Sequence, residues 1–253
     1  SVSFSPDGKF LAVSCSSDDR LEVFSFDGIN NPTQVGSYAT TQGQPRSVSW
    51  SPDGNFIALV NLASDSLQIF SFNGLSTPTQ VGGNAGTGSY PKSASWSPDG
   101  RFIAVCANMA DTVQIFLFDG ANTPTQVDGV AVTGSSPNTL SWSPDSRFLG
   151  VVSGSSNILQ IFTIESSFYG THINKGVSTK GGPTSVSWSS SGTSVAVVNE
   201  KSNELQLFQL EQPVVAVQVG GNASTGIYPE PVSWSPGGNL IAVVNTLSDT
   251  LQI

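Results

Sequence analysis

The chain has 253 residues, 38% hydrophobic and only 11% charged, with a net charge of −9 from 9 Lys and Arg against 18 Asp and Glu. That length and apolar content suffice for a sizeable core and exclude wholesale disorder. The acidic balance argues against nucleic acid and anionic membrane surfaces, which both reward basic residues, and no apolar run approaches the roughly 18 residues that span a bilayer.

The segment Ser1-Val2-Ser3-Phe4-Ser5-Pro6-Asp7-Gly8 returns at 47–54 and 93–100, and more loosely from Thr139, Ser185 and Pro231, each start 46 residues after the last. The repeats are therefore 1–46, 47–92, 93–138, 139–184 and 185–230, with 231–253 a partial sixth. The second repeat shows the pattern best. Ser47-Val48-Ser49-Trp50-Ser51 alternates polar and apolar, as a strand does. Pro52-Asp53-Gly54 is turn chemistry. Phe56 to Val60 is a continuous apolar run, expected of a strand covered on both faces. After a polar loop, Leu67 to Phe72 reads as a third strand, Asn73-Gly74 as a turn, and Thr79-Gln80-Val81 as a short fourth strand. Gly82 to Pro91 reads as a Gly-rich connector, and no window shows a helical period.

Four strands in about 40–50 residues is the pattern of a β-propeller blade, because one such sheet cannot cover its own faces and neighbouring blades cover each other. All five tryptophans, Trp50, Trp96, Trp142, Trp188 and Trp234, share one position, held by Phe4 in the first repeat. Phe24, Phe70, Phe116, Phe162 and Phe208 share another. Rings recurring among apolar neighbours read as packing between sheets rather than a ligand ladder. The expected fold is all-β, a single propeller domain over 1–253 with six blades of 46 residues, the last incomplete. The alternative is a fragment of a seven-bladed propeller. A chain opening at Ser1 is expected to be processed or a piece of a longer one, and the edge of the incomplete blade is open to strand addition by another chain.

The frame S-x-S-P-D-G-x-[FL]-[IL]-A-V, a polar loop with Asp or Asn, then [LV]-Q-I-F, resembles WD40-like propeller repeats. It is closer to the YVTN and lactonase-like propellers, which also carry a Gly-rich connector and a Pro before the first strand, here Pro45, Pro91, Pro137, Pro183 and Pro229. The Gly-His and Trp-Asp dipeptides of WD40 repeats are missing, so their hydrogen-bonded tetrad is not expected. The resemblance implies a propeller in which first strands line the channel, with linkers and loops after second strands on one face.

Chemical candidates are few. His172 is the single histidine and stands where other repeats carry Gln34, Gln80, Gln126 and Gln218, with no triad partner and no zinc spacing. Cys15 and Cys106 lie two repeats apart and read as inert buried thiols beyond disulfide reach. Asp7, Asp53, Asp99 and Asp145, and the loop set Asp19, Asp65, Asp111, Asn157, Asn203 and Asp249, read as local turn bonding. No calcium loop is present, and the Gly-rich stretches precede strands rather than helices, so they are not phosphate loops. Asn222-Ala223-Ser224 matches a glycosylation acceptor. The fourth repeat breaks pattern between Glu165 and Gly182, where Phe168 to His172, Lys175 and Lys180 read as decay rather than a specialised patch.

Acid–base chemistry needs a titratable group of tuned pKa, and none recurs here, so the lactonase activity is not carried over with the fold. No catalytic residue, cofactor or metal is assigned. The residues flanking the recurring Pro differ from repeat to repeat, as a recognition surface would. Gln44, Arg46, Tyr90, Lys92, Asn138, Tyr228 and Glu230 are the expected contacts, with Tyr90, Tyr228, Arg46 and Lys92 as anchors. The expected function is a non-enzymatic scaffold that binds a protein or peptide there. A carbohydrate-binding or surface-structural propeller is the alternative, and a lactonase-like hydrolase stands behind both. Composition leans to an extracellular or cell-surface setting.

Overall fold

The computed structural model describes residues 1–127, 129–164, 176–211 and 215–253. Among the described residues there are strands, turns and loops but no helix, and the fold is a β-propeller of six successive blades. The chain divides into two compact units. The N-terminal unit holds residues 1–110 and 114–127, and the C-terminal unit holds 111–113 and 128–253.

Blade 2 shows how sequence becomes sheet. Its strands are Pro45–Trp50, Phe56–Asn61, Ser66–Ser71 and Thr79–Gly86, each antiparallel to the next. Pro45 opens the first strand, a place where its missing N–H breaks no ladder. The Pro-Asp-Gly turn closes on itself: Ser51 Oγ donates to Asp53 Oδ1 at 2.5 Å, which also accepts the Asn55 N–H at 3.0 Å. Asp53 is accordingly held below its ordinary pKa by Ser51 and Asn55, against the opposing effect of its partial burial. The expected local bonding of this aspartate set is thus observed.

The fourth strand runs past the expected end at Val81 and takes in half of the Gly-rich connector. Gly86 pairs with Ser66 and Ala85 with Leu67, after a shift of register. Gly82 makes the bend at φ +66°, and a Cβ there would strike the backbone of Asn122 and Thr123 in the next blade. The Gly83 N–H donates to Thr123 Oγ1 at 2.6 Å, as the Ser37 N–H does to Thr77 Oγ1 at 2.7 Å. Glycine is required where outer edges meet this closely. In blades 1, 3 and 5 the same strand is interrupted into two short pieces. Blade 6 has the three strands Pro229–Trp234, Ile241–Asn245 and Thr250–Gln252.

The core lies between blades rather than within them. One cluster joins Ala12, Leu21 and Val23 of blade 1 to Val48, Trp50, Ile57 and Phe70 of blade 2. In the C-terminal unit Val152, Leu159 and Ile161 of blade 4 pack on Val186, Trp188, Val195 and Phe208 of blade 5. Phe72 meets both Phe10 and Trp50 edge-on, with centroids 5.1 and 5.6 Å away. The paired serines of the first strand also bridge blades. Ser47 Oγ accepts the Ala94 N–H at 3.1 Å and Ser49 Oγ the Trp96 N–H at 3.2 Å.

The Gln of the third strand, the Q of L-Q-I-F, belongs to a buried amide chain. Asn61 Nδ2 donates to Gln68 Oε1 at 2.8 Å, Gln68 Nε2 to Gln80 Oε1 at 2.9 Å, and Gln80 Nε2 to Asn84 Oδ1 at 2.8 Å. Blade 5 repeats it through Asn199, Gln206, Gln218 and Asn222. Burying Asn61 and Gln68 is tolerable because each finds partners.

Candidate functional site

Every loop after a second strand passes through a left-handed residue: Asp19, Asp65, Asp111, Asn157, Asn203 and Asp249, at φ between 47° and 54°. Asp and Asn are the non-glycine residues that adopt this conformation most readily. The expected local bonding of this set is corrected by the structure. The first five side chains reach 25 residues ahead, to the linker entering the next blade. Asp19 Oδ1 accepts the Gln44 N–H at 2.6 Å, Asp65 Oδ1 that of Tyr90 at 2.7 Å, and Asp111 Oδ1 that of Ser136 at 2.7 Å. Asn157 Oδ1 does the same for Gly182 at 2.7 Å and Asn203 Oδ1 for Tyr228 at 2.9 Å. The linker residues so held are themselves left-handed, Tyr90 at φ 62° and Tyr228 at φ 60° among them.

Two residues further on, each first strand bulges. Pro45 pairs with Asn61 but Ser47 with Val60, so Arg46 faces no partner residue. The same break falls at Lys92, Asn138 and Thr184, and at Glu230 with Pro231. A bulge lifts one residue out of the ladder and re-aims its side chain. The expected contact residues therefore fall into two classes. Gln44, Tyr90 and Tyr228 are latched by the loop, whereas Arg46, Lys92, Asn138 and Glu230 are presented by bulges.

Their tasks differ. Asn138 Nδ2 donates to the Pro183 carbonyl at 2.9 Å and Thr184 Oγ1 to the Pro229 carbonyl at 2.8 Å, so both brace one blade against the next. In the N-terminal unit Arg46 is exposed and Lys92 half-buried. In the C-terminal unit Tyr228 stands 40% exposed. The neighbouring Glu200 carboxylate first, and Glu230 less, raise its phenol above the ordinary pKa of 10.0. The backbone of Tyr228 is pinned on its other side too, its carbonyl accepting from the Thr246 N–H and Thr246 Oγ1 at 3.0 Å each.

Glu200 and Lys201 were missed by sequence reading. The signal was there: the position of Glu200 is held by Ser16, Leu62, Asn108, Gly154 and Thr246 in the other repeats, so it carries the one carboxylate. The Glu200 N–H donates to the Gly182 carbonyl at 2.9 Å. A Cβ on Gly182 would lie 2.9 Å from Cγ of both Glu200 and Lys201, so glycine makes room for the two side chains.

Cys106 is fully buried, its thiol pushed up to about 12 by burial, and Cys15 is raised by burial and by Glu22 and Asp18; neither is in a disulfide. His172, Lys175 and the irregular stretch 165–175 lie outside the described residues. Lys180 uses its N–H on Gln206 Oε1. Asn222 of the glycosylation pattern accepts from Gln218 Nε2 at 2.7 Å. A recess of about 780 Å³ lined by Asp7, Lys9, Phe10, Phe26 and Asp27 sits at the opposite strand ends of blade 1. Among the described residues no three His, Cys, Asp or Glu side chains gather as metal ligands would.

The family described as "Lactonase, 7-bladed beta-propeller" matches residues 1–89 and 91–168. No curated protein matches the chain. A functionally unknown protein from Desulfotomaculum acetoxidans superposes with a TM-score of 0.86 at 18% identity, covering 99% of this chain and 80% of its own. The periplasmic gluconolactonase of Pseudomonas aeruginosa follows with 0.82 at 21%, covering 99% and 79%. A chain of a mitotic checkpoint complex reaches 0.81 at 17% identity, covering 99% and 72%. Likeness of this degree shows the fold alone, whereas the family match extends over most of the sequence. It overturns the expected non-enzymatic scaffold for a protein or peptide, and with it the expectation that the chain is not an enzyme. That expectation looked for acid–base groups that recur from blade to blade. Catalysis needs one placed group, and such a group need not recur from blade to blade.

Proposed function

Because the chain belongs to the lactonase family of seven-bladed β-propellers, we propose that it is a hydrolase that opens a lactone to its hydroxy acid. The match to residues 1–89 and 91–168 carries this reading. The gluconolactonase among the fold neighbours directs the choice of first substrate to a six-membered sugar lactone, and its periplasmic setting favours a place outside the cytoplasm. Opening a cyclic ester requires a group that takes a proton from water and a polar surround for the charge that develops on the carbonyl oxygen. The linker end of the C-terminal unit, with Tyr228, Glu200, Lys201 and Glu230, has groups of these kinds. Tyr228 and Glu230, expected from sequence to meet a partner, are read here as meeting substrate.

The test is turnover of D-glucono-1,5-lactone within a panel of five- and six-membered lactones, followed by proton release. The expected result is hydrolysis above the spontaneous rate for at least one sugar lactone. A folded chain that accelerates none of them would end the proposal.

A further inference from the structure

The loops after the third strands of blades 1, 2 and 3 are three versions of one turn. Asp27, Asn73 and Asp119 share a register, each followed by glycine, and Asn73-Gly74 is the one Asn-Gly pair in the sequence. Asn73 Oδ1 accepts the Leu75 N–H at 2.9 Å, the Ser76 N–H at 3.0 Å and the Ser76 hydroxyl at 3.1 Å. Asp27 Oδ1 takes the corresponding N–H groups of Ile29 and Asn30 at 2.9 and 2.8 Å, and Asp119 Oδ1 those of Ala121 and Asn122 at 2.9 and 2.8 Å. Three donors on one carbonyl oxygen draw electrons from the amide carbon. They also stand ready for the negative charge that a nucleophile would place on that oxygen. The nearest nucleophile is the next backbone nitrogen. Gly74 is left-handed at φ +80° and has no Cβ to screen that nitrogen. Among the described residues no group accepts from the Gly74 N–H or from Asn73 Nδ2. Asn73 is exposed, so its amide nitrogen can depart into water.

We propose that Asn73 is a self-modifying site, at which attack by the Gly74 nitrogen on the side-chain amide converts the asparagine to aspartate. The Gly74 nitrogen bonds to Asn73 Cγ and gives up its proton. The bond from Cγ to Nδ2 breaks, and ammonia departs with that proton. Water then opens the cyclic imide. One asparagine and one water become one aspartate and one ammonia, with no oxidant, metal or second protein. Opening at the side-chain carbonyl restores the ordinary backbone. Opening at the main-chain carbonyl gives isoaspartate, which lengthens the turn by one methylene group. The fold suits the first product, because Asp27 and Asp119 already hold this turn with a carboxylate on the same two N–H groups. Blade 2 thereby gains the charge that blades 1 and 3 encode. The conversion is independent of lactone opening.

The test is to incubate the purified, folded chain at mildly alkaline pH and to follow each asparagine by peptide mass spectrometry. Asn73 is expected to gain the mass of acid over amide about tenfold faster than Asn84 and Asn222, which alanine follows. Ser76→Ala removes one of the three donors and is expected to slow the conversion about fivefold, less than a buried donor would be worth because this one is exposed to water. Asn73→Asp, made outright, is expected to fold with a urea midpoint close to that of wild type. An Asn73 that stays an amide in the folded chain overturns the proposal, and conversion only in urea-unfolded chain would show that the turn protects the residue instead. An unchanged rate in Ser76→Ala removes the part assigned to the turn. An Asn73→Asp chain that does not fold removes the place of the product in it.

Discussion

Two linkers carry a tyrosine at the same position, three repeats apart: Tyr90 entering blade 3 and Tyr228 entering blade 6. Both backbones are left-handed, both N–H groups are latched by an Asx side chain 25 residues earlier, and both carbonyls accept from the turn that follows, at Asn108 and Thr246. Their surroundings diverge. The register that puts Glu200 beside Tyr228 puts Leu62 in the equivalent place for Tyr90, and the latch is a carboxylate, Asp65, in one and an amide, Asn203, in the other. The frame is shared because packing and backbone hydrogen bonds demand it. The chemistry differs because a side chain at the linker end is free to change without disturbing the core.

The shared frame should break equally in both places. Phe70→Ala and Phe208→Ala remove equivalent, fully buried rings, and each is expected to cost about 3–5 kcal/mol. Denaturant unfolding that showed one costly and the other neutral would refute a common packing role. The latch should break unequally. Asp65→Ala takes a charged acceptor from a half-buried N–H and is expected to cost about 2 kcal/mol, against about 1 kcal/mol for Asn203→Ala at a more exposed bond. Asp65→Asn should lie close to wild type, and urea midpoints decide the order.

Glu200→Leu gives Tyr228 the neighbour that the register assigns to Tyr90. The phenol should then titrate lower, back toward 10.0, in ultraviolet difference spectra at alkaline pH. An unchanged titration would mean that Glu230 rather than Glu200 governs the tyrosine. The smallest effect belongs to the loops after third strands. Asp27 and Asp119 accept N–H bonds from Ile29 and Asn30, and from Ala121 and Asn122, where Asn73 does the same work uncharged. Chiefly through Asn30 and Asn122, both carboxyls are lowered to about 2 from 3.8. A depressed folded pKa contributes stability above the unfolded value and loses it as pH falls toward the folded one. The Tm should therefore decline between pH about 4 and 2, and Asp27→Asn with Asp119→Asn should flatten that decline slightly.

Much of the frame was legible in the residues. The alternation of Ser47 to Ser51, the Pro52-Asp53-Gly54 turn and the run Phe56 to Val60 each specify a local geometry, and the structure has strands and turn there. The Gly-rich stretch misled because glycine reads as loop, while here it serves a strand edge that a neighbouring blade approaches. The site was half legible. Arg46, Lys92, Asn138 and Glu230 stood out by their variation beside a constant Pro, and their common origin in a bulge explains it. Glu200 was passed over because a group that occurs once leaves no periodic trace.

By itself the sequence determined the blade: its period, its strands, its turns and the rings that fill the space between sheets, all set by neighbours near in the chain or one repeat away. Only the tertiary structure decided where the loop aspartates spend their hydrogen bonds and which linker side chains brace one blade against the next. Those outcomes depend on the path of a left-handed backbone through two turns 25 residues apart, and a pattern of residue types carries no record of that path.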